Sequence, residues 1–328
     1  MARQLRIQYK GAVYHVTCRG NEKRKIFQDN KDQRVFLKYL RESLGIYKIT
    51  LYCFILMKNH FHLLLETPLG NLSEFMRRFN ITYTSYFNRK NQRVGHLYQG
   101  RYKSILVDKE SYLNVLSRYI HLNPVKIKQF NELSLDKKEE HLKKYKWSSL
   151  SGYIDENKQE KFIDYEMILE KYGGNTPKGR EFYWRTIKDD LKKEMNIKDK
   201  IIGGDVLGND DFILMIKEKY LSNKPREIPS IRKIQRYQSK EKIIQVVHKE
   251  TRIELEELKH ILGTMRHMLM ELLYKYGGMK GEEIAEMMNL DYSTVSVGRK
   301  RFRENLKKDK ELMDLFERIE KKLSIIKI

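Results

Sequence analysis

MKNHFHLLLETP, residues 57–68, is the stretch on which the fold turns. It follows ITLYCFILM (49–57), and the two strand-like runs 49–57 and 60–67 are separated only by Lys58-Asn59. A gap of two residues between apolar runs is the spacing of a tight β-hairpin. Strand alternation then places His60 and His62 on one face and Phe61, Leu63 and Leu65 on the other. The apolar set is expected to face a core, and the two imidazoles to point outward.

The flanking sequence alternates between the two periods. AVYHVTCR (12–19) is rich in β-branched and aromatic residues and reads as a strand. Val35, Phe36, Tyr39 and Leu40 recur at helical spacing within 30–44, as do Leu72, Phe75, Met76, Phe79, Tyr83 and Tyr86 within 71–88. RYKSILV (101–107) is a further strand, and 110–122 a helix closed near Asn123-Pro124. The order β-α-β-β-α-β-α predicts an α+β fold, a ferredoxin-like split βαβ antiparallel sheet with helices on one face and a terminal helix. Beyond Trp147 the pattern weakens. Gly173-Gly174, Gly203-Gly204 and SNKPREIPS (222–230) interrupt charge-rich helical pieces, and strong helical periodicity resumes near 238. The expected organisation is a sheet domain over 1–153, an all-α connector over 154–237 and a helix-turn-helix domain over 238–328.

A chain of 328 residues suits two or three domains. Lys plus Arg number 66 against 44 Asp plus Glu, and 66 − 44 gives a formal charge of +22. An excess of this size favours a polyanionic partner, because each phosphate contact releases counterions. Cys18 and Cys53 both lie in strand-like runs, which argues against a disulfide framework and against a cysteine zinc site. No apolar run reaches membrane-spanning length, MARQLRIQYKGAVYHV lacks the apolar core of a signal peptide, and no GxxxxGK[ST] loop implies ATP. The expected setting is the cytoplasm, in association with the nucleoid.

Two histidines on one strand face can supply two ligands to a divalent metal. A pair of surface histidines fits the same short pattern. Tyr119 and Asn123 are four apart on a predicted helix and so share a face. Asn123 can offer an amide oxygen as third ligand, one turn from a phenol able to attack a phosphodiester. A core tyrosine and a helix-ending Asn before Pro would read alike.

Taken together, MKNHFHLLLETP (57–68), GHLYQGRYKSILVD (95–108) and YIHLNPVK (119–126) resemble the single-tyrosine HUH transposases, most closely their REP-associated tyrosine transposase branch. The resemblance runs over roughly residues 5–153, and it departs at Lys58, where the family often has Pro. It implies that His60 and His62 bind Mg²⁺ or Mn²⁺, with Asn123 at the position of the third ligand. It implies that Tyr119 forms a 5′-phosphotyrosyl link and frees a 3′-OH, on single strands next to imperfect hairpins. Arg77, Arg78, Arg89, Lys90, Arg93, Arg101 and Lys103 are interleaved with Tyr83, Tyr86, Tyr98 and Tyr102. The cations can track phosphates and the rings can stack on bases. Arg101 and Lys103 are the strongest candidates, and about half the tyrosines are expected to be buried. The alternative is a domesticated regulator that binds hairpin or duplex DNA without cutting it.

In KGEEIAEMMNLDYSTVSVGRKRFREN (280–305), Ala285, Asn289 and Val295 fall at the small, turn and buried positions of a helix-turn-helix. Tyr292, Ser293 and Thr294 would sit near base edges, and Arg299, Lys300, Arg301 and Arg303 near phosphates. With LDYSTVS (290–296) as its recognition-helix start, the segment resembles the duplex-binding domain of the replication initiator DnaA. The implied partners are single-stranded hairpin DNA and duplex DNA, and a homodimer is compatible with the sequence.

Overall fold

The computed structural model describes residues 7–130, 132–193, 197, 200–202, 204–221, 234, 237–261 and 263–324. The SNKPREIPS segment and Gly203 lie outside the described residues. Among the described residues two compact units emerge, one within 7–201 and 205–208, the other within 202–204 and 209–324.

The first unit is built on β1 (Ala12–Arg19), α1 (Asn30–Tyr47), β2 (Thr50–Met57), β3 (His60–Thr67), α2 (Leu72–Lys90), β4 (Lys103–Val107) and α3 (Lys109–His121). β2 and β3 close a hairpin in which Met57 pairs with His60. With the short strands β5 (Ile201–Ile202) and β6 (Val206–Leu207), the sheet order is β2-β3-β1-β4-β6-β5. The first four strands are antiparallel in the ferredoxin-like order. β6 runs parallel to β4, so the sheet is mixed and not purely antiparallel. Side-chain caps place the helices that frame it. The Asp29 carboxylate accepts from Asp32 N–H at the start of α1, and Asp108 from Ser111 N–H at the start of α3. Pro124 in the turn Asn123–Val125 ends α3, as a residue without an N–H must.

Helices cover both faces of this sheet. On one, Phe61 meets Phe36 of α1 and Phe79 of α2, and Tyr83 and Phe87 extend the aromatic core. On the other lie α3, α5 (Leu150–Ile154) and α7 (Pro177–Lys192), where Tyr153 and Tyr183 pack around His121. α4 (Leu135–Lys144) and the single turn α6 (Glu166–Leu169) complete this layer. Residues 154–201, expected as part of a connector, therefore belong to the first unit. Ile163, Tyr165, Ile168, Leu169, Tyr183 and Ile187 are all buried, and a segment that buries this much apolar area cannot act as a spacer. The short β5 and β6 also mean that 154–237 is not all-α.

The second unit is helical, with α8 (Asp210–Leu221), α9 (Lys240–Thr251), α10 (Leu255–His260), α11 (Thr264–Lys275), α12 (Gly281–Met288), α13 (Tyr292–Asn305) and α14 (Lys310–Ser324). Ile243, Val247, Met268, Leu272, Ile284, Met288, Val295, Phe302, Phe316 and Ile319 form its core. Gly298 brings α13 against α11, since a Cβ there would stand 2.5 Å from His267 Cδ2. Among the described residues, no helix is long and apolar enough to cross a membrane.

Candidate active site

The hairpin fixes the two histidines. Ile55 pairs with His62 and Met57 with His60, so both imidazoles share the face opposite Phe61. Cys53 pairs with Leu64 on that same face and lies near Tyr153 and Tyr183. The histidines thus sit beneath a second helical layer. His60 is half-buried and His62 buried, where alternation alone had them pointing outward to solvent. Their rings are 5.1 Å apart and nearly perpendicular. Burial, with Arg19 nearby, lowers the His60 pKa to about 4, so the ring is neutral at pH 7.

Each imidazole has a partner at Nδ1. His60 Nδ1 is 2.7 Å from Asn59 Oδ1, and Asn59 Nδ2 donates to the Lys23 carbonyl at 3.0 Å. His62 Nδ1 is 2.8 Å from His15 Nε2, the two rings meeting edge to edge with centroids 5.0 Å apart. His15 is a buried histidine of β1 whose pKa burial lowers to about 4. Alternation did not reveal it. The β1–β3 register, Thr17 opposite His62 and His15 opposite Leu64, is what brings it alongside.

α3 packs across β2 and β3 and carries Tyr119 on the flank of its buried stripe Leu113, Leu116, Ser117, Ile120 and His121. Tyr119 is half-buried, burial raises its pKa, and Lys126 Nζ stands 4.0 Å from its ring centroid. Asn123 Nδ2 donates to the Tyr119 and Ile120 carbonyls at 3.0 and 3.1 Å, capping the end of α3. That use of the amide nitrogen leaves Asn123 Oδ1 as the atom able to ligate. His121 serves the packing. Its two ring nitrogens lie 2.8 Å from Tyr183 Oη and 2.9 Å from Ser149 Oγ. Among the described residues, no cluster of three His, Cys, Asp or Glu side chains could hold a metal. Any cation here would have to use the two imidazoles with amide, phosphate or water oxygens. Such a set fits Mn²⁺ better than the strongly oxygen-seeking Mg²⁺.

The basic residues separate into two groups. Arg77, Arg78, Arg89, Arg101 and Lys103 are exposed. Lys90 is bound to Asp29 and Asp32 at 2.7 and 2.6 Å, and Arg93 lies over the Phe87 ring at 5.7 Å. Tyr83, Tyr98 and Tyr102 are buried, and Tyr86 is half-buried and hydrogen-bonded to Asp32, so these rings are structural and do not form a stacking platform.

In the second unit, α12 and α13 meet at a turn in which Asn289 adopts φ +54°. Ala285 and Val295 are buried, and Tyr292 and Ser293 are exposed, with Thr294 half-buried. The four cations on α13 do not form one face. Arg299 Nε is 2.9 Å from Glu271 Oε2, its guanidinium lies over the Tyr274 ring at 3.3 Å, and its side chain is only 12% exposed. Arg303 lies 3.6 Å from the same carboxylate. Lys300 and Arg301 are exposed.

Fold and site together define an α+β domain with a ferredoxin-like sheet, a paired-histidine strand and a tyrosine-bearing helix packed over it. Within it, residues 8–123 match the model of the family described as "Transposase IS200 like". A solved structure of a REP-associated tyrosine transposase bound to a REP hairpin is similar over 50% of this chain and 92% of its own, at 12% identity and a TM-score of 0.38. Comparison with curated proteins gives no match.

Proposed function

We propose that this chain is a transposase of the IS200-like kind, which cleaves and rejoins single-stranded DNA next to hairpins through a covalent 5′-phosphotyrosine at Tyr119. One observation carries the reading. The segment that matches the family holds two imidazoles on one face of β3 and, packed over β2 and β3, the helix that bears Tyr119. His60 and His62 would hold a divalent cation through Nε2, and Asn123 through Oδ1. Such a cation supplies Lewis-acid polarisation of the scissile phosphate. Tyr119 Oη attacks phosphorus, the P–O3′ bond breaks, the 3′ oxygen leaves with its electron pair and takes up a proton, and the phenol loses its own. Attack by a 3′-OH on the phosphotyrosine reverses the sequence, so rejoining needs no nucleotide cofactor. Arg101 and Lys103, exposed at the start of β4, suit the phosphates of the incoming strand.

The second unit would grip duplex DNA as a helix-turn-helix, with α13 as the reading helix. The buried Ala285 and Val295, the left-handed Asn289 and the exposed Tyr292 and Ser293 support this. The deciding experiment is incubation of the full chain with single-stranded DNA from the flanks of its own gene, plus Mn²⁺. The expected product is a protein–DNA adduct that survives denaturation and maps to the Tyr119 peptide. Hairpin binding with no adduct would favour the regulator that binds without cutting.

A further inference from the structure

We infer that Asn59 and His15 are positioning residues that lock His60 and His62 in the same tautomer, with Nδ1 protonated and the Nε2 lone pair presented to a divalent cation. The inference rests on the metal-site reading above. For His60 the chain of reasoning is closed by hydrogen-bond chemistry. Asn59 Nδ2 donates to the Lys23 carbonyl, an atom that only accepts, and this fixes which way the amide lies. Asn59 Oδ1 must then be the atom facing His60, and because it too only accepts, the proton of that contact belongs to His60 Nδ1.

For His62 the partner is a second imidazole. Its Nδ1 lies 2.8 Å from His15 Nε2, a distance at which two ring nitrogens share one proton. Nδ1 is therefore taken up by His15, and a cation on His62 would be met through Nε2. The contact allows either ring to carry that proton, and ligation through His62 Nε2 requires that His62 carry it at Nδ1 with His15 Nε2 accepting. The two rings meet edge to edge and lie 14° from parallel, so the contact restricts rotation of His62. One face of β3 thus presents both imidazoles, His60 supported from the hairpin turn and His62 from β1. Loss of such outer supports commonly weakens metal affinity about 10–100-fold.

The test uses the full chain with ¹⁵N-labelled histidine. Long-range ¹H–¹⁵N correlation of the wild-type protein without metal is expected to show His60 and His62 protonated at Nδ1. Mn²⁺ binding, followed by electron paramagnetic resonance of the free ion, is expected to weaken about 10–100-fold in His15→Ala. His15→Gln, whose side-chain oxygen can accept from His62, is expected to recover most of that loss, with unfolding temperature held. A wild-type spectrum showing His62 protonated at Nε2 overturns the inference and needs no variant to fold. His62-dependent Mn²⁺ binding that is equal in wild type and His15→Ala overturns it alone. Binding indifferent to His62→Ala overturns the metal-site reading and this inference with it.

Discussion

A phenol attacks phosphorus only as its proton leaves, and Tyr119 stands where burial holds that proton more tightly than water does. The shift is upward from a reference near 10, so at pH 7–9 the protonated form dominates. With no local base, the single-turnover rate of adduct formation is expected to rise about tenfold per pH unit across that window, since the phenolate fraction does. A flat profile at constant Mn²⁺ and ionic strength would reveal a base that takes the proton. Tyr119→Phe is expected to reduce adduct to background while hairpin binding, read by gel shift, stays near wild type. Lys126 Nζ stands 4.0 Å from the ring centroid, where a cation is drawn to the aromatic face. Lys126→Met is expected to slow cleavage about threefold, the size of a partly exposed cation–π contact. At this scale the sequence was informative about residue types and silent about their supports. His60, His62, Tyr119 and Asn123 stand in patterns of two and four that name a shared face. His15 becomes visible only once the β1–β3 register is known, 47 residues from its partner.

Period decides which elements a reader can find. The four long strands and the helices α1, α2 and α3 announce themselves by alternation or by helical spacing, and the two-residue gap at Lys58-Asn59 sets the hairpin. The layer of α5 to α7 does not, because its buried face is defined by distant partners. Tyr153 donates to the Tyr52 carbonyl, Ser117 meets Tyr183, and Arg118 pairs with Asp190. The cationic run on α13 misleads for the same reason. Arg299 and Arg303 are four apart and share one face, and on that face Arg299 is turned in to Glu271 of α11 while Arg303 stays half in solvent. Both partners of the closer pair are almost wholly withdrawn from water, at 12% and 11% exposure. Removing one leaves the other uncompensated. Glu271→Ala is expected to destabilise the second unit by roughly 3 kcal/mol, at the low end for a broken buried pair. Denaturant unfolding checks it. A change below about 0.5 kcal/mol, the range of exposed pairs, would mean that the bridge is open to solvent.

Division into two units predicts where the molecule can be cut. The boundary does not fall near residue 236, where composition would put it. α8 and Tyr237 lie in the second unit, with Tyr237 Oη donating to Asp210 Oδ1 at 2.5 Å and Lys217 Nζ donating to the Tyr237 carbonyl at 2.8 Å. β6, Val206–Leu207, completes the first by pairing with Leu106 and Val107. A chain ending at residue 208 therefore retains the whole sheet and the candidate site, whereas one ending at 236 carries α8 without its partners. The shorter protein is expected to keep adduct formation on single-stranded substrate and to lose duplex affinity. The expected salt dependence follows from the side chains. Each phosphate neutralised contributes about 0.9 to the slope of log K against log salt. Lys300 and Arg301 are exposed and Arg303 only loosely paired, while Arg299 is committed to Glu271 and Tyr274. The cations of α13 should thus account for a slope of about 2–3, not the nearly 4 that the run of four would give. Lys300→Ala and Arg301→Ala should each flatten duplex binding by about 0.9, uniformly across sequences. Ser293→Ala should relax sequence choice with the slope unchanged, as expected near base edges. Fluorescence anisotropy across a salt series on the full chain and the 1–208 chain separates these outcomes, and equal slopes for the two would show that the second unit does not grip duplex DNA.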